Sequence, residues 1–270
     1  MTELERIQNL LKEYGLYAKK SFGQNFLINE GIIRRIVNGM SVDSFDSVIE
    51  IGPGLGSLTL PLSKKAKKLI AVDADRDMVM VLKEIFKEAK NVEIVQSDFL
   101  RFDPDSCSET EHRLLIGNLP YNITSELLEY MLEKGFRSAG MMVQKEVADK
   151  LSYVPKKKEN CPLGAFIKMT GELTLISDVD SSSFHPAPKV QSAFIRIDQK
   201  QKIDFSLYPI LKALFKDPNK TMANCLKQTP CYQNALAYFK DSQDDRLSYR
   251  ARQLEADELY SILKTIQEHL

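Results

Sequence analysis

The chain has 270 residues, 43% hydrophobic and 27% charged, which is the composition of a folded protein rather than a disordered one. Its length exceeds one average domain, so we expect a main domain accompanied by a smaller one. The 37 Lys and Arg residues balance 37 Asp and Glu residues, so total charge does not indicate a nucleic-acid partner. Any RNA binding must then come from local basic patches.

The first residues, Met1 to Glu13, mix acidic side chains with spaced leucines, which predicts an amphipathic helix. This pattern differs from a secretory signal and from an acid-poor transit peptide, and no apolar stretch approaches the roughly 18 residues of a membrane span. We therefore expect a cytoplasmic protein that does not cross a membrane. The cysteines show no C-x-x-C spacing, so we expect neither a zinc site nor a disulfide framework. They are Cys107, Cys161, Cys225 and Cys231.

Apolar runs of strand length alternate with helix-period segments through the first two-thirds of the chain. Predicted strands are Ser47–Ile51, Leu69–Asp73, Val92–Gln96, Arg113–Asn118 and Ala139–Gln144. Two intervening segments keep the apolar spacing of one helix face. They contain Met78, Val79, Leu82, Ile85 and Phe86, and then Leu127, Leu128, Met131 and Leu132. This alternation predicts an α/β fold of the Rossmann-like type, a parallel sheet covered by helices.

Three further apolar runs, Ala165–Met169, Leu173–Val179 and Val190–Ile197, are predicted to be extended segments that close the edge of the sheet. After Asp198 strand-like runs cease and helix-like segments follow. These are Phe205–Phe215, Lys220–Lys227, Gln233–Phe239 and Ala256–Ile266. We therefore predict a first domain over residues 1–198, with an N-terminal helical extension, and a small helical domain over residues 199–270.

The stretch Glu50-Ile51-Gly52-Pro53-Gly54-Leu55-Gly56 follows a buried strand and precedes a helix that we expect Ser57 to cap. Glycines permit a tight turn and close approach of a ligand to the backbone. The spacing is Gly-x-Gly-x-Gly, whereas the pyrophosphate fingerprint is Gly-x-Gly-x-x-Gly, so a cofactor without pyrophosphate is favoured. A carboxylate at Glu50 suits the positively charged amino-acid moiety of S-adenosylmethionine.

Carboxylates lie at the end of the next strand and just after the one that follows it. Asp73 ends its strand 23 positions after Glu50, where it can accept both ribose hydroxyl protons. Asp75 competes for this role, but it is better placed to cap the helix that starts near Arg76. After the following strand, Asp98 can accept from an adenine amino group and Phe99 can pack on the ring. Together these elements predict an adenosyl cofactor bound across successive strand ends.

The segment Asn118-Leu119-Pro120-Tyr121 follows the fourth predicted strand. Methylation of an exocyclic amine requires acceptors that orient its protons and aim its lone pair at the methyl group. Asn118 Oδ1 and the Leu119 carbonyl can supply these acceptors, Pro120 can fix the backbone, and Tyr121 can stack on the base. Taken alone, the segment is more typical of a strand-to-turn transition, in which Asn and Pro are ordinary turn residues. Its place after a strand, downstream of the glycine loop, favours the catalytic interpretation.

These motifs, with several others, give the sequence a family resemblance. The remaining motifs are residues 20–27, 144–148 and 184–193, and weaker similarities at Lys220, Thr221, Asn224, Leu226, Arg250, Gln253 and Leu254. The chain resembles the ribosomal RNA adenine N6,N6-dimethyltransferases, which modify two adjacent adenosines near the 3′ end of small-subunit rRNA. The resemblance covers almost the whole chain. It implies S-adenosylmethionine as cofactor, small-subunit rRNA or an assembly intermediate of that subunit as partner, and a role in ribosome biogenesis.

The resemblance also implies residue roles. Gln24, Asn25 and Leu27 would help to bind the cofactor, together with Gly52 and the loop around it. Asn118 and Leu119 would hold the methionine end of the cofactor and the target amine. Phe184 would form a second aromatic wall opposite Tyr121, as for a base splayed between rings. Spacing alone favours a core position for Phe184.

The chain departs from the family in being neutral rather than basic, which concerns RNA affinity more than methyl transfer. The candidate phosphate contacts are basic side chains, although each is more typical of an ordinary solvated side chain. They are Lys19, Lys20, Arg34, Arg35, Lys156, Lys157, Lys158, Lys189 and Lys220. Nothing in the sequence requires more than a monomer.

Three alternatives remain. The nearest is the related large-subunit rRNA adenine methyltransferase class that confers macrolide resistance, whose chemistry is the same. A binding protein on the same fold, acting in ribosome assembly or as a transcription factor, is disfavoured by the intact acceptor motif at Asn118. A nicotinamide oxidoreductase is disfavoured by the glycine spacing.

Overall fold

A computed structural model describes residues 1–19, 22–106, 112–118, 123–229 and 232–270. The helices are α1 (Glu3–Glu13), α2 (Glu30–Gly39), α3 (Thr59–Ser63), α4 (Arg76–Ile85), α5 (Thr124–Glu133), α6 (Lys145–Leu151), α7 (Pro162–Thr170), α8 (Tyr208–Leu214), α9 (Met222–Leu226), α10 (Gln233–Asp241) and α11 (Ala256–Glu268). The strands are β1 (Phe26–Leu27), β2 (Ser47–Ile51), β3 (Leu69–Asp73), β4 (Val92–Gln96), β5 (Arg113–Gly117), β6 (Ser138–Gln144), β7 (Gly171–Val179), β8 (Phe184–His185) and β9 (Ser192–Gln199).

Seven strands form one sheet in the order β4-β3-β2-β5-β6-β9-β7. The pairs from β4 to β6 are parallel, whereas β9 runs antiparallel to β6. All residues of β2, β3 and β5 are buried, as expected for strands covered on both faces. The predicted α/β class is therefore confirmed. Three of the five predicted parallel strands have the expected bounds, and the other two differ by one residue.

The register of the parallel strands brings their carboxyl ends together. Ile51 of β2 lies opposite Val72 of β3 and Gly117 of β5, and Asp73 lies opposite Gln96 of β4. Ligands bind parallel α/β sheets at this edge, because the loops that leave the strands converge there.

Helix α1 packs against the sheet unit through the apolar face that its sequence predicts. Ile7 is fully buried in a cluster with Leu55, Met78 and Val81, which belong to the segment after β2 and to α4. Burial of one such aliphatic side chain contributes about 1.5–3 kcal/mol to folding. The Arg6 guanidinium also donates to the Leu55 carbonyl at 2.9 Å. The N-terminal helix thus lies against the loop that follows the first parallel strand.

The chain divides into two compact units. Residues Met1–Ala148 and Thr174–Asp198 form the sheet unit, and Asp149–Leu173 and Gln199–Leu270 form the helical unit. The prediction of a single boundary at residue 198 is corrected at residues 149–173, which belong to the helical unit. Formal charge also divides between the units. The sheet unit carries 21 Lys and Arg against 25 Asp and Glu, whereas the helical unit carries 16 against 12.

Helix α7 explains the shifted boundary. Residues Ala165–Met169 were expected to be extended, which is wrong, since they lie within this helix. Cys161 Sγ accepts from the Gly164 amide and Pro162 occupies the first turn, so the start of the helix is well defined. Phe166 packs edge-on against Phe205 and Tyr208, with ring centroids 5.6 and 5.5 Å away. The other two apolar runs do form the strands β7 and β9, which complete that side of the sheet, with β7 at its edge.

Within the described ranges, no helix combines the length and the hydropathy that crossing a bilayer requires. In the same ranges, no group of three His, Cys, Asp or Glu side chains is arranged as a metal site. Cys161 and Cys225 are free thiols, whereas Cys107 and Cys231 lie outside the described residues.

Candidate active site

A pocket opens at the carboxyl ends of β2 to β5 and encloses about 1050 Å³, including the solvent at its mouth. Its walls are residues 22–27 from the N-terminal segment, residues 50–54, 57 and 58 after β2, residues 72–74 after β3, residues 97–100 after β4, and Asn118 and Ile123 after β5. The predicted cofactor residues that line it are Gln24, Asn25, Leu27, Glu50, Gly52, Gly54, Asp73, Asp98, Phe99 and Asn118. Residues more than 90 positions apart in the sequence therefore surround one cavity.

The glycine loop adopts backbone conformations that favour glycine. Gly52, Gly54 and Gly56 have φ angles of 61°, 55° and 86°, in the left-handed region. A Cβ on Gly54 would lie 3.1 Å from Phe26 Cε1 in the opposite wall. A Cβ on Gly56 would instead lie 3.2 Å from Leu82 Cδ2 of α4, and Gly56 does not line the pocket. Gly56 thus serves the packing of the loop, whereas Gly52 and Gly54 face the cavity.

Ser57 was expected to cap the helix after this loop, and this expectation is wrong. Helix α3 begins at Thr59, after Leu58, and it has no side-chain cap. The intervening residues form turns, in which the Gly56 amide donates to the Pro53 carbonyl at 2.9 Å. Ser57 lines the pocket instead.

Glu50 is the most deeply buried carboxyl of the pocket, with 1% of its surface exposed. Its Oε2 atom has no hydrogen-bond partner among the described residues. Burial, together with the smaller effect of the negative charge of Asp73, raises the pKa of Glu50 to about 8. A buried carboxyl with an unused oxygen beside a cavity is placed to receive a cationic group.

Asp73 is anchored by two backbone amides. Its Oδ2 accepts from the Gly54 amide at 3.2 Å and its Oδ1 accepts from the Asp75 amide at 2.8 Å. Burial raises the pKa of Asp73 to about 6, and the two N–H donors oppose this rise. Asp75 caps α4 by accepting from the Asp77 amide at 3.0 Å, and it does not line the pocket. Of the two candidates for the ribose, only Asp73 faces the cavity.

Asp98 and Phe99 stand at the start of a short 3-10 turn after β4. Asp98 Oδ1 accepts from the Leu100 amide at 3.1 Å, while 58% of the side chain remains exposed. The Phe99 ring is 6% exposed and packs edge-on against Tyr130 at 4.8 Å between centroids. The turn therefore presents one exposed carboxylate and one fixed aromatic ring to the pocket.

Asn118 follows β5, and its Nδ2 donates to the Asn25 carbonyl at 3.0 Å. This bond commits the amide nitrogen and leaves Oδ1 as the acceptor of the side chain. Leu119, Pro120 and Tyr121 lie outside the described residues. Phe184 lies in β8 opposite Leu27, is 3% exposed and packs in the core of the sheet unit. It is not among the residues that line the pocket in the described part of the chain.

Part of the N-terminal wall of the pocket, and its attachment to α4, were not predicted from the sequence. Phe22 and Phe26 line the pocket beside the expected Gln24, and Ser57 and Ser97 add hydroxyl groups. The signal for the two aromatic residues was their place within the motif at residues 20–27. Gln24 was expected to contact a cofactor, but its Nε2 donates to Asp75 Oδ2 at 2.9 Å.

The candidate phosphate contacts fall on both units. Arg34 and Lys189 are exposed on the sheet unit, and Lys156, Lys158 and Lys220 are exposed on the helical unit. Lys157 is half-buried and donates to the Asp149 carbonyl at 2.5 Å. Lys20 lies outside the described residues. Its neighbour Lys19 is held between two carboxylates.

Comparison with known proteins gives consistent matches. The family model for ribosomal RNA adenine dimethylase matches residues 15–268. Ribosomal RNA small subunit methyltransferase A of Mycoplasmopsis pulmonis is 37% identical over 251 residues, which cover 91% of this chain and 97% of that protein. A dimethyladenosine transferase of Plasmodium falciparum superposes with a TM-score of 0.76 at 24% identity, covering 90% of this chain and 98% of that one. The 23S rRNA methyltransferase ErmE superposes with a TM-score of 0.66 at 22% identity, covering 90% of this chain and all of that one. At these identities the two structures show a shared fold.

Proposed function

Since the chain belongs to the ribosomal RNA adenine dimethylase family, we propose that it transfers methyl groups from S-adenosylmethionine to N6 of adenosine. The substrate is small-subunit rRNA, and the product is N6,N6-dimethyladenosine at two adjacent positions near its 3′ end. The observation that carries this proposal is the pocket in which Glu50, Asp73, Asp98 and Asn118 lie at or just beyond the carboxyl ends of four different parallel strands.

The residues present fit this cofactor. Glu50, with its unpartnered buried oxygen, receives the ammonium of the methionine moiety. Asp73 accepts from the ribose hydroxyls, and Asp98 accepts from the adenine amino group while Phe99 packs on the ring. The positive φ angles of Gly52 and Gly54 allow the backbone to approach the ligand without a Cβ between them. When bound, the cofactor supplies a methyl group on a positively charged sulfur, which is already activated for transfer.

Catalysis then rests on placing the target amine. Asn118 Oδ1 accepts one proton of the amine, since the Asn118 nitrogen is committed to Asn25. In this proposal the Leu119 carbonyl accepts the other proton, Pro120 fixes the backbone and Tyr121 stacks on the base. A fixed acceptor geometry aims the nitrogen lone pair without a strong base. Phe184 is buried and its strand pairs with β1, so we assign it to support of the pocket wall rather than to direct stacking.

For the RNA we infer a contribution from the helical unit, which has an excess of four positive charges over its acidic residues. Lys156, Lys158 and Lys220 are exposed there, and Arg34 and Lys189 are exposed on the sheet unit. Neutralising phosphates with such side chains makes binding fall with salt. In this proposal the enzyme acts as a cytoplasmic monomer on small-subunit rRNA or on an assembly intermediate of that subunit.

The test is incubation of the protein with labelled S-adenosylmethionine and small ribosomal subunits that lack the modification, with large subunits in parallel. Nucleoside mass spectrometry should find dimethyladenosine in small-subunit rRNA only. Asn118→Ala should lower the rate about 100-fold or more, by analogy with loss of one preorganised polar contact in other active sites. Asn38→Ala is the matched control, because Asn38 is exposed and bonded to Lys65, away from the pocket.

Three outcomes would contradict the proposal in different ways. Product in large subunits alone would move the protein to the large-subunit methyltransferase class. Cofactor binding without any product would favour a binding role in ribosome assembly. Methylation by Asn118→Ala at the wild-type rate would refute the role assigned to Asn118.

A further inference from the structure

Lys19 lies beside the pocket and is held by two carboxylates of the α4 N-terminus. Its Nζ is 2.6 Å from Asp75 Oδ1 and 2.6 Å from Asp77 Oδ2. Asp75 is 2% exposed, whereas the Lys19 side chain is 23% exposed and that of Asp77 is 38% exposed. Two short bonds to one buried and one partly exposed carboxylate distinguish this contact from an ordinary surface ion pair, which contributes little.

Gln24 completes the same attachment. Its Oε1 accepts from the Lys19 amide at 2.9 Å, and its Nε2 donates to Asp75 Oδ2 at 2.9 Å. We call Lys19, Gln24, Asp75 and Asp77 the Lys19 clasp. Two members come from the N-terminal segment and two from the start of α4, so the clasp joins these parts of the sheet unit.

The N-terminal segment that the clasp holds forms one whole wall of the pocket, from residue 22 to residue 27. Its other end is fixed by pairing of Leu27 with Phe184 and by the bond from Asn118 to the Asn25 carbonyl. The Lys19 ammonium also lies 5.6 Å from the centroid of the Phe22 ring, which lines the cavity. Displacement of the clasp would therefore move a surface that faces the ligand.

The clasp also connects to Asp73. The Asp75 amide donates to Asp73 Oδ1 at 2.8 Å, and Asp73 Oδ2 accepts from Gly54. Lys19 is a cation next to a region that holds the carboxyls of Glu50, Asp73, Asp75 and Asp77. Bonds to Asp75 and Asp77 raise the pKa of Lys19, so it stays charged. Its charge favours the ionised form of Asp73, which is the form that accepts two hydroxyl protons.

We propose that Lys19 is a positioning residue for cofactor binding, which fastens the N-terminal wall to α4 and orients Asp73 through Asp75. The inference rests on the proposed function, because it names S-adenosylmethionine as the ligand. It replaces the expectation that Lys19 contacts RNA phosphates. Loss of the clasp weakens cofactor binding and leaves the methyl-transfer step itself unchanged, since Lys19 does not contact Asn118 and the far end of the wall keeps its own bond from Asn118 to the Asn25 carbonyl.

The test compares Lys19→Met, which removes the charge and keeps the length, with Lys19→Arg, which keeps the charge. Lys67→Met is the matched control, because Lys67 is 61% exposed and pairs only with the exposed Asp46 in the described residues. Calorimetry with S-adenosylhomocysteine measures affinity without RNA, which suits a chain that has no tryptophan. Steady-state assays with RNA then separate KM for the cofactor, KM for RNA and kcat.

Lys19→Met should raise the Kd and the cofactor KM about 10-fold, with kcat within twofold, and about 10-fold corresponds to about 1.4 kcal/mol. Lys19→Arg should restore most of the affinity, and Lys67→Met should match the wild type. Asp77→Asn is a second variant in case Lys19→Met does not fold. It keeps the Asp75 cap and should raise the Kd about threefold.

Unchanged cofactor affinity in Lys19→Met, with a raised KM for RNA, would overturn this inference and restore the phosphate-contact interpretation. A fall in kcat at saturating substrates would also overturn it, because a positioning role in cofactor binding leaves kcat intact. Wild-type protein that binds no S-adenosylhomocysteine would overturn the proposed function and this inference with it.

Discussion

Glu50→Gln should stabilise the ligand-free protein while weakening its cofactor binding. Burial raises the pKa of Glu50 from 4.5 to about 8. The folded protein therefore keeps a proton that the unfolded chain releases above pH 4.5. The contribution of the protonated Glu50 to the free energy of unfolding is then fully present below pH 4.5 and is lost as the pH rises toward 8. Glutamine has a similar shape and does not titrate, so the variant does not lose stability in this way as the pH rises.

The magnitude follows from the span between the two pKa values. Each pH unit within it costs about 1.4 kcal/mol, so wild type should be less stable than Glu50→Gln by about 3 kcal/mol at pH 7 and about 1 kcal/mol at pH 5. Asp73 titrates in both proteins, so the difference between them reports Glu50. The lost carboxylate should nevertheless weaken S-adenosylmethionine binding, because the ammonium no longer meets a negative charge.

The assay is urea denaturation of the ligand-free proteins at pH 5, 6, 7 and 8, followed by circular dichroism. Glu93→Gln is the matched control, because the Glu93 side chain on β4 is 49% exposed. Its stability should stay within about 0.5 kcal/mol of wild type at every pH. A stability gap for Glu50→Gln that does not widen with pH would refute the reasoning, because it would mean that water reaches the Glu50 carboxyl.

Gly54→Ala should lower the free energy of unfolding by about 1–2 kcal/mol, because it adds a close contact with Phe26 at a position with left-handed backbone. Urea denaturation measures this loss, and a loss no larger than that of Gly15→Ala would contradict the prediction. Gly15 is the control because it has φ +63° and no atom within 4 Å of an added Cβ. Tyr153→Phe should lower the free energy of unfolding by about 1 kcal/mol in the same assay, because the buried hydroxyl donates to two backbone carbonyls. Unchanged stability would argue against those hydrogen bonds. S-adenosylmethionine binding should release close to one proton at pH 7, because the ammonium favours ionised Glu50. Calorimetry in buffers of different ionisation enthalpy measures this release, and a value of zero would exclude Glu50 as the partner.

The central parallel strands were predictable because their two faces are buried. Such strands are near-continuous apolar runs, and the bounds of β2 and β3 follow directly from them. The same rule failed at Ala165–Met169, because a short apolar run also fits a helix that is buried on all sides. Cys161 and Pro162 at its start were the signal for a helix. The error placed residues 149–173 in the wrong unit.

The site was predictable as far as it depends on strand ends. Asp73 ends one predicted strand and Asp98 follows the next, and parallel pairing brings such positions to one edge of the sheet. The Lys19 clasp was not predictable, because Lys19 and Asp75 are 56 positions apart and no local periodicity relates them.

For Phe184, the spacing of the sequence and the family resemblance favoured different positions. Its spacing favoured a core position, and the resemblance favoured a wall of the base pocket, whereas the structure places its ring in the core.

The division of the chain has a consequence for how this protein can be altered. The backbone passes between the sheet unit and the helical unit three times, and α7 reaches the helical unit from within the first 173 residues. The helical unit is therefore not one continuous segment of the chain. A chimera with a relative that is joined only at residue 198 would combine residues 199–270 of one protein with the α7 of the other. The aromatic packing of Phe166 against Phe205 and Tyr208 would then join side chains from two different proteins. Chimeras that exchange this unit need residues 149–173 from the same parent as residues 199–270.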